Sequence, residues 1–199
     1  MELDLTLYLQ AFVMLFAIFD PIGNIPIFLS LTSKMTEKKR NKVVNESVAV
    51  AFILLIVFAV LGWDLLSFLG ISINDFKIAG GILLLIIAVE DIVLEKRRYR
   101  TVEAEELAVV PLGTPLLAGP GSLTTVIILA NSPFNLLVAF LAIVSNVALA
   151  WAILYVSERL FMHLGRTGLR AIMKIMGLII VSFAVMFIRE GIMGAFRLF

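Results

Sequence analysis

Asp20 is the residue of this chain whose type and setting most clearly demand chemistry. It stands in Phe19-Asp20-Pro21-Ile22-Gly23-Asn24-Ile25-Pro26, near the middle of an apolar run from Leu5 to Leu31. An Asp at the centre of a membrane helix costs roughly 2.5–3.5 kcal/mol on insertion scales. Such a residue normally faces the protein interior and holds a partner, a proton or an ion. Pro21 supplies no amide hydrogen and disfavours helical geometry at Asp20. Gly23 permits close backbone approach or positive φ, Asn24 brings a donor and an acceptor, and Pro26 suits the first turn of a new helix. The pattern predicts a helix that ends near Asp20 and restarts near Pro26.

A second stretch has the same grammar without the acid. Pro111-Leu112-Gly113-Thr114-Pro115 leads into Gly119-Pro120-Gly121-Ser122-Leu123-Thr124-Thr125. Gly119, Pro120 and Gly121 are expected to interrupt the helix, and Ser122, Thr124 and Thr125 to add hydroxyls at its restart. A helix start favours a carboxylate or phosphate. Asp20 facing such a start would make a cradle for a zwitterion, the acid holding an ammonium or a coupling cation. Asp20, Pro21, Gly23, Asn24, Thr114, Gly119, Pro120, Gly121, Ser122, Thr124, Thr125 and Asn146 are therefore the candidate substrate-binding residues. Any metal here would be a coupling cation at Asp20. Kinks from Pro and Gly are common in membrane helices, but two elaborate breaks, one bearing an acid, favour a site. Ser145, Asn146 and Ser182 are secondary candidates for polar lining and read first as hydrogen-bonding glue between helices.

The elements that hold these residues are membrane helices. Hydrophobic residues make up 61% of the 199 residues and charged residues 16%, with a mean hydropathy of +1.08. Soluble domains carry about 45–50% apolar and about 25% charged residues. Six segments are long enough to cross about 30 Å of hydrocarbon. They run Leu5–Leu31, Val43–Leu69, Phe76–Leu94, Ala108–Ala130, Phe134–Val156 and Ile172–Gly194. None alternates with the period of a barrel strand. Trp63 and Trp151 fall toward span ends, and Gly80 and Gly81 suit close helix packing. Glu90 and Asp91 are expected to pair with Lys96–Arg98 at the interface.

All the Lys and Arg except Lys77, Arg189 and Arg197 fall after spans one, three and five. The positive-inside rule puts those loops in the cytoplasm and both termini outside. His163 is placed in the loop after span five. The N-terminus lacks a basic region and a cleavage pattern, so the first segment reads as a retained span.

The halves resemble one another. Lys77-Ile78-Ala79-Gly80 rhymes with Lys174-Ile175-Met176-Gly177, and Asp20-Pro21 with Gly119-Pro120 at nearly the same offset. Three spans per half must enter from opposite faces, which is an inverted-topology repeat. The expected fold is a single all-α transmembrane domain over 1–199. Its repeats cover about 1–95 and 108–199, joined by a charged loop at about 95–108, with spans one and four broken near the midplane. Kinked continuous helices and re-entrant half-helices remain alternatives for the breaks.

Several functions are disfavoured by what is missing. The chain has no cysteine, no H-E-x-x-H metalloprotease motif and no G-x-x-x-x-G-K-[ST] phosphate loop. An aspartyl mechanism needs two carboxylates in one site, and only Asp20 is placed near the midplane. The expectation is a carrier rather than an enzyme, with no cofactor and no nucleic-acid partner. A passive channel or a membrane partner subunit is the alternative.

Phe19-Asp20-Pro21-Ile22-Gly23-Asn24-Ile25-Pro26-Ile27-Phe28 and Pro111-Leu112-Gly113-Thr114-Pro115-Leu116-Leu117-Ala118-Gly119-Pro120-Gly121-Ser122 resemble the two signature blocks of the MarC family. The likeness covers essentially the whole chain, including its length, six spans and charged central loop. It implies an inner-membrane protein that transports small neutral amino acids such as glycine and alanine. Coupling would be to H⁺ or Na⁺, the partners would include membrane lipid, and a homo-oligomer stays open.

Overall fold

The computed structural model describes residues 4–93, 117–131 and 134–196. The first part of expected span four, Thr114 and the Lys96–Arg98 pairing lie outside the described residues. Among the described residues all elements are helical and none is a strand.

Helix α1 (Leu5–Phe19) begins at Asp4, whose Oδ1 accepts the Thr6 amide at 2.9 Å and the Leu7 amide at 3.3 Å. It ends at Asp20, and α2 (Ile25–Leu31) follows after one irregular turn. Thr36 caps α3 (Glu37–Phe68), which is why this helix starts a turn and a half before the apolar span. Gly70 then turns the chain at φ 70 into α4 (Ile73–Val93). Helix α5 (Pro120–Leu129) opens on proline, and Asn135 caps α6 (Leu136–Tyr155) by accepting from the Val138 amide at 2.9 Å.

Helix α7 (Ser157–Phe196) departs from expectation. Its helical residues begin well before Ile172, with one break at Gly165 (φ 63, ψ 179). His163 is therefore helical and exposed, not in a loop, and its Nδ1 lies 2.7 Å from the Arg159 carbonyl. The run looked like a connection because Arg, Glu, His and Gly interrupt its apolar residues, yet Glu, Arg and Leu form helix readily.

Glycine sets how closely the helices meet. Gly81 faces the Ala184 carbonyl and Gly191 the Asn74 carbonyl, so α4 and α7 run antiparallel with backbones nearly touching. A Cβ would stand 2.7 Å from the first oxygen and 2.6 Å from the second. Without a hydrophobic driving force in lipid, such approaches are a main source of helix association. Helices α3 and α6 also pack together, and α5 lies against α1, α3 and α4. Trp151 Nε1 donates to Asn45 Oδ1 at 2.8 Å, and the Arg40 guanidinium grips Glu158 with both nitrogens. These bonds tie α3 to the α6–α7 corner.

The core holds Leu15, Phe19, Phe28, Leu55, Leu129, Ile143 and Phe187. The periphery is equally apolar, with Leu5, Ile53, Phe68 and Leu178 more than half exposed. That is an inside-out balance for water and the expected one for lipid. Among the described residues, three helices are long and apolar enough to cross a membrane: Glu37–Phe68, Leu136–Tyr155 and Thr167–Phe196. Helices α1 and α5 are apolar but shorter, so neither spans alone.

Candidate functional site

The first break is a turn wound around its own carboxylate. Asp20 adopts the left-handed conformation, φ 41 and ψ 58, and is the one described non-glycine residue with positive φ. Proline normally pushes its predecessor to extended backbone. Asp tolerates the left-handed region better than most residues, at a cost of about 1–3 kcal/mol when structure enforces it. The Asp20 amide closes α1 by donating to the Phe16 carbonyl at 3.0 Å. Its Oδ1 accepts the Gly23 amide at 3.0 Å, and its main-chain oxygen accepts the Asn24 amide at 3.2 Å. Gly23 is needed for space, not for positive φ: a Cβ there would overlap the Asp20 carboxylate. Asn24 Nδ2 reaches back to the Phe19 carbonyl at 3.3 Å. Asp20, Pro21, Gly23 and Asn24 are all buried.

The second break is closed by the same device. Ser122 Oγ donates to the Leu117 carbonyl at 3.0 Å, again five residues back. Phe19 and Asn24 match Leu117 and Ser122 at one constant offset, and Gly23 matches Gly121 at that offset. Ala118 stands where the first break has Asp20. The interruption itself differs from expectation. Gly119 is the extended cap (φ −73, ψ 173), and Pro120 and Gly121 are already the first helical residues of α5. Proline at the first helical position has no amide to satisfy, which explains the shift.

The hydroxyls at this restart are engaged locally. Thr124 Oγ1 donates to the Pro120 carbonyl at 2.9 Å and Thr125 Oγ1 to the Gly121 carbonyl at 2.8 Å. Each hydroxyl proton is therefore used within α5, leaving oxygen lone pairs but no donor for a carboxylate. The amide end of α5 is what remains for an anion.

The two breaks are neighbours. A Cβ on Gly121 would lie 3.2 Å from Ile18 Cγ2, at the foot of α1, and would strike Leu84 of α4. A Cβ on Gly80 of α4 would strike Thr124, with Oγ1 2.7 Å away. Glycines on both sides thus let α1, α4 and α5 converge where α1 ends and α5 begins. The convergence runs through Ile18, two residues before Asp20.

Asn146 does not join this group. Its Nδ2 donates to the Ala142 carbonyl at 2.8 Å and the Phe12 carbonyl at 3.2 Å. Phe12 lies eight residues before Asp20, about 12 Å along a helix at 1.5 Å per residue. Both acceptors are carbonyls, so the amide orientation is fixed by the bonding. The fully buried Oδ1 has no hydrogen-bond partner among the described residues, nor has Ser47 Oγ on α3. Ser145 bonds Tyr8 Oη at 2.8 Å and so joins α6 to α1. Ser182 is exposed and donates only to Leu178 within its own helix, so it neither lines a site nor bridges helices.

One polar feature escaped the sequence reading. Lys77 Nζ lies 2.9 Å from Glu190 Oε2, a half-buried ion pair between α4 and α7. The partners are 113 positions apart, and no local spacing rule reaches that far. Both ring the end of the bundle away from Arg40.

A family model described as "MarC family integral membrane protein" matches residues 5–196. A UPF0056 membrane protein of Methanocaldococcus jannaschii is 36% identical over 203 residues, covering 97% of this chain and 99% of that protein. UPF0056 membrane protein YhcE of Escherichia coli is 37% identical over 205 residues, covering 97% and 95%. A UPF0056 membrane protein of Pyrococcus horikoshii is 37% identical over 188 residues, covering 92% of each. No solved structure matches the chain.

Proposed function

We propose a transport function from one premise: this chain belongs to the MarC family of integral membrane proteins. The function proposed is secondary transport of small neutral amino acids, glycine and alanine among them, driven by H⁺ or Na⁺. The observation that carries it is the broken helix at Asp20 beside the start of α5, each closed by a side chain bonded to a carbonyl five residues back, the two meeting through Ile18 and Gly121. Within lipid, irregular backbone is tolerated only where protein buries it or where it lines a cavity. Paired breaks in matching segments are the usual substrate site of a carrier.

In this reading Asp20 binds the ammonium group or the coupling ion, and the start of α5 attracts the carboxylate through its helix dipole. Gly23 and Gly121 let backbone come close, and Asn24 and Ser122 hold the breaks open. The reading takes the fold as six spans in a 3+3 inverted repeat. The packing of α3 against α6 and of α4 against α7 supports it, because a two-fold axis between halves makes equivalent helices partners. The basic loops are assigned to the cytoplasm and both termini to the outside. Catalysis is not part of the proposal.

The test is uptake and counterflow of labelled glycine and alanine in proteoliposomes, with and without imposed H⁺ and Na⁺ gradients. Saturable, gradient-driven flux with counterflow is expected. Flux without saturation or counterflow would make the chain a pore, and no movement of either amino acid would end this substrate assignment.

A further inference from the structure

A cavity of about 600 Å³ opens between α1 and α7, far from the basic end of the bundle. Leu9 and Val13 of α1 form one wall, Met186 and Phe187 of α7 the other, and Lys77 and Glu190 close it at one end. The space is the size of a drug-like binding site and its lining is mainly apolar, with Gln10 of α1 a further polar wall residue. Leu9 and Val13 are also 50% and 52% exposed on the outer face of α1. The cavity wall and the lipid-facing surface are therefore one continuous apolar sheet, and the space opens sideways to the bilayer.

The charged end has capacity left over. Lys77 uses one of three N–H donors on Glu190 Oε2, and Glu190 Oε1 has no bond among the described residues. Lys77 lies about one turn inside the start of α4 and Glu190 less than two turns from the end of α7. That is the depth of a lipid headgroup rather than of the acyl chains.

We infer that this cavity binds one membrane phospholipid with a primary-amine headgroup. An acyl chain lies between α1 and α7. The phosphate sits on Lys77, and the headgroup ammonium donates to Glu190. The pair is kept as a pair because a zwitterion can add to it without leaving either charge unmatched. A headgroup whose nitrogen carries only methyl groups has no N–H to give Glu190, which sets the selectivity. The tail exchanges one apolar surrounding for another, so it contributes shape and packing, and the headgroup supplies the choice.

The full-length protein, purified in detergent, is titrated with dioleoyl phosphatidylethanolamine and the bound state is read by native mass spectrometry. Dioleoyl phosphatidylcholine and free leucine serve as controls. Phosphatidylethanolamine is expected to bind about tenfold more tightly than phosphatidylcholine, the size of effect that a charge-assisted hydrogen bond supports. Met186→Trp, which fills the cavity, and Lys77→Met should each weaken it at least tenfold. Val13→Trp fills the same space from α1 and stands in if the Met186 variant fails to fold. Exchanging the charges, Lys77→Glu with Glu190→Lys, keeps the ion pair and should keep the binding. Equal binding of the two phospholipids, or undiminished binding in a folded cavity-filled variant, overturns the assignment. Displacement of the lipid by leucine would hand the cavity to a soluble zwitterion and also overturn it. None of these outcomes tests transport at the helix breaks.

Discussion

Asp20 has a structural and an electrical role that two substitutions can separate. Its Oδ1 holds the Gly23 amide and so shapes the turn. An Asn at the same place can accept that bond but carries no charge. Asp20→Asn is therefore expected to melt close to the parent while gradient-driven flux of glycine and alanine disappears. Coupled flux that survives would remove the carboxylate from the mechanism. Gly23→Ala acts in the opposite way. Its new methyl overlaps the carboxylate, and overpacking of this kind costs about 1–3 kcal/mol, so the melting temperature should fall together with flux. A Gly23→Ala protein as stable as its parent would mean the turn is not built as described. The chemistry of this turn was legible in the residues: proline, glycine and Asn in sequence forbid a continuous helix. Its conformation was not, because the residue before proline is steered to extended backbone by local sterics. Only the carboxylate folding back onto Gly23 tips Asp20 to the left-handed side.

Helices α4 and α7 show what periodicity hides. In a segment apolar all round, the sequence pattern marks no face as buried, so which helix pairs with which cannot be read from it. Gly80 and Gly81 signalled close packing without naming a partner. The structure gives Gly80 to Thr124 of α5 and Gly81 to the Ala184 backbone of α7. The Lys77–Glu190 pair was missed for the same reason, since its register exists only once α4 and α7 are docked. Gly81 meets main chain, which cannot rotate away as a side chain can. Gly81→Val should thus lower the melting temperature markedly in detergent, whereas Ile82→Leu on the adjacent exposed position should change little. Similar melting of the two variants would show that α4 and α7 are not held at backbone contact. The second break was read less well than the first because its hydroxyls looked like ligands. Thr124 and Thr125 instead donate their protons to the preceding turn, a habit of such residues inside helices.

At the scale of the molecule, the open issue is whether the halves are inverted, and the chain is suited to a direct answer because it contains no cysteine. Ser33 follows the first interrupted pair of helices and Asn131 follows α5, at the same offset that relates Asn24 to Ser122. An inverted repeat places these two positions on opposite sides of the membrane, and a tandem repeat places them on the same side. Charge supports inversion: Lys34, Lys38, Lys39, Arg40 and Lys42 follow Ser33, while no Lys or Arg lies between Asn131 and Val156. Basic residues near span ends are retained on the cytoplasmic side, so the two loops should be sorted apart. Arg40 holding Glu158 brings the start of α3 and the start of α7 to one end, which puts His163 with Ser33. A membrane-impermeant maleimide should therefore label Asn131→Cys in intact cells. It should label Ser33→Cys and His163→Cys only after permeabilisation. Labelling of Asn131→Cys and Ser33→Cys from the same face would end the two-fold arrangement, and with it the argument that the breaks at Asp20 and Gly119 are equivalent halves of one site.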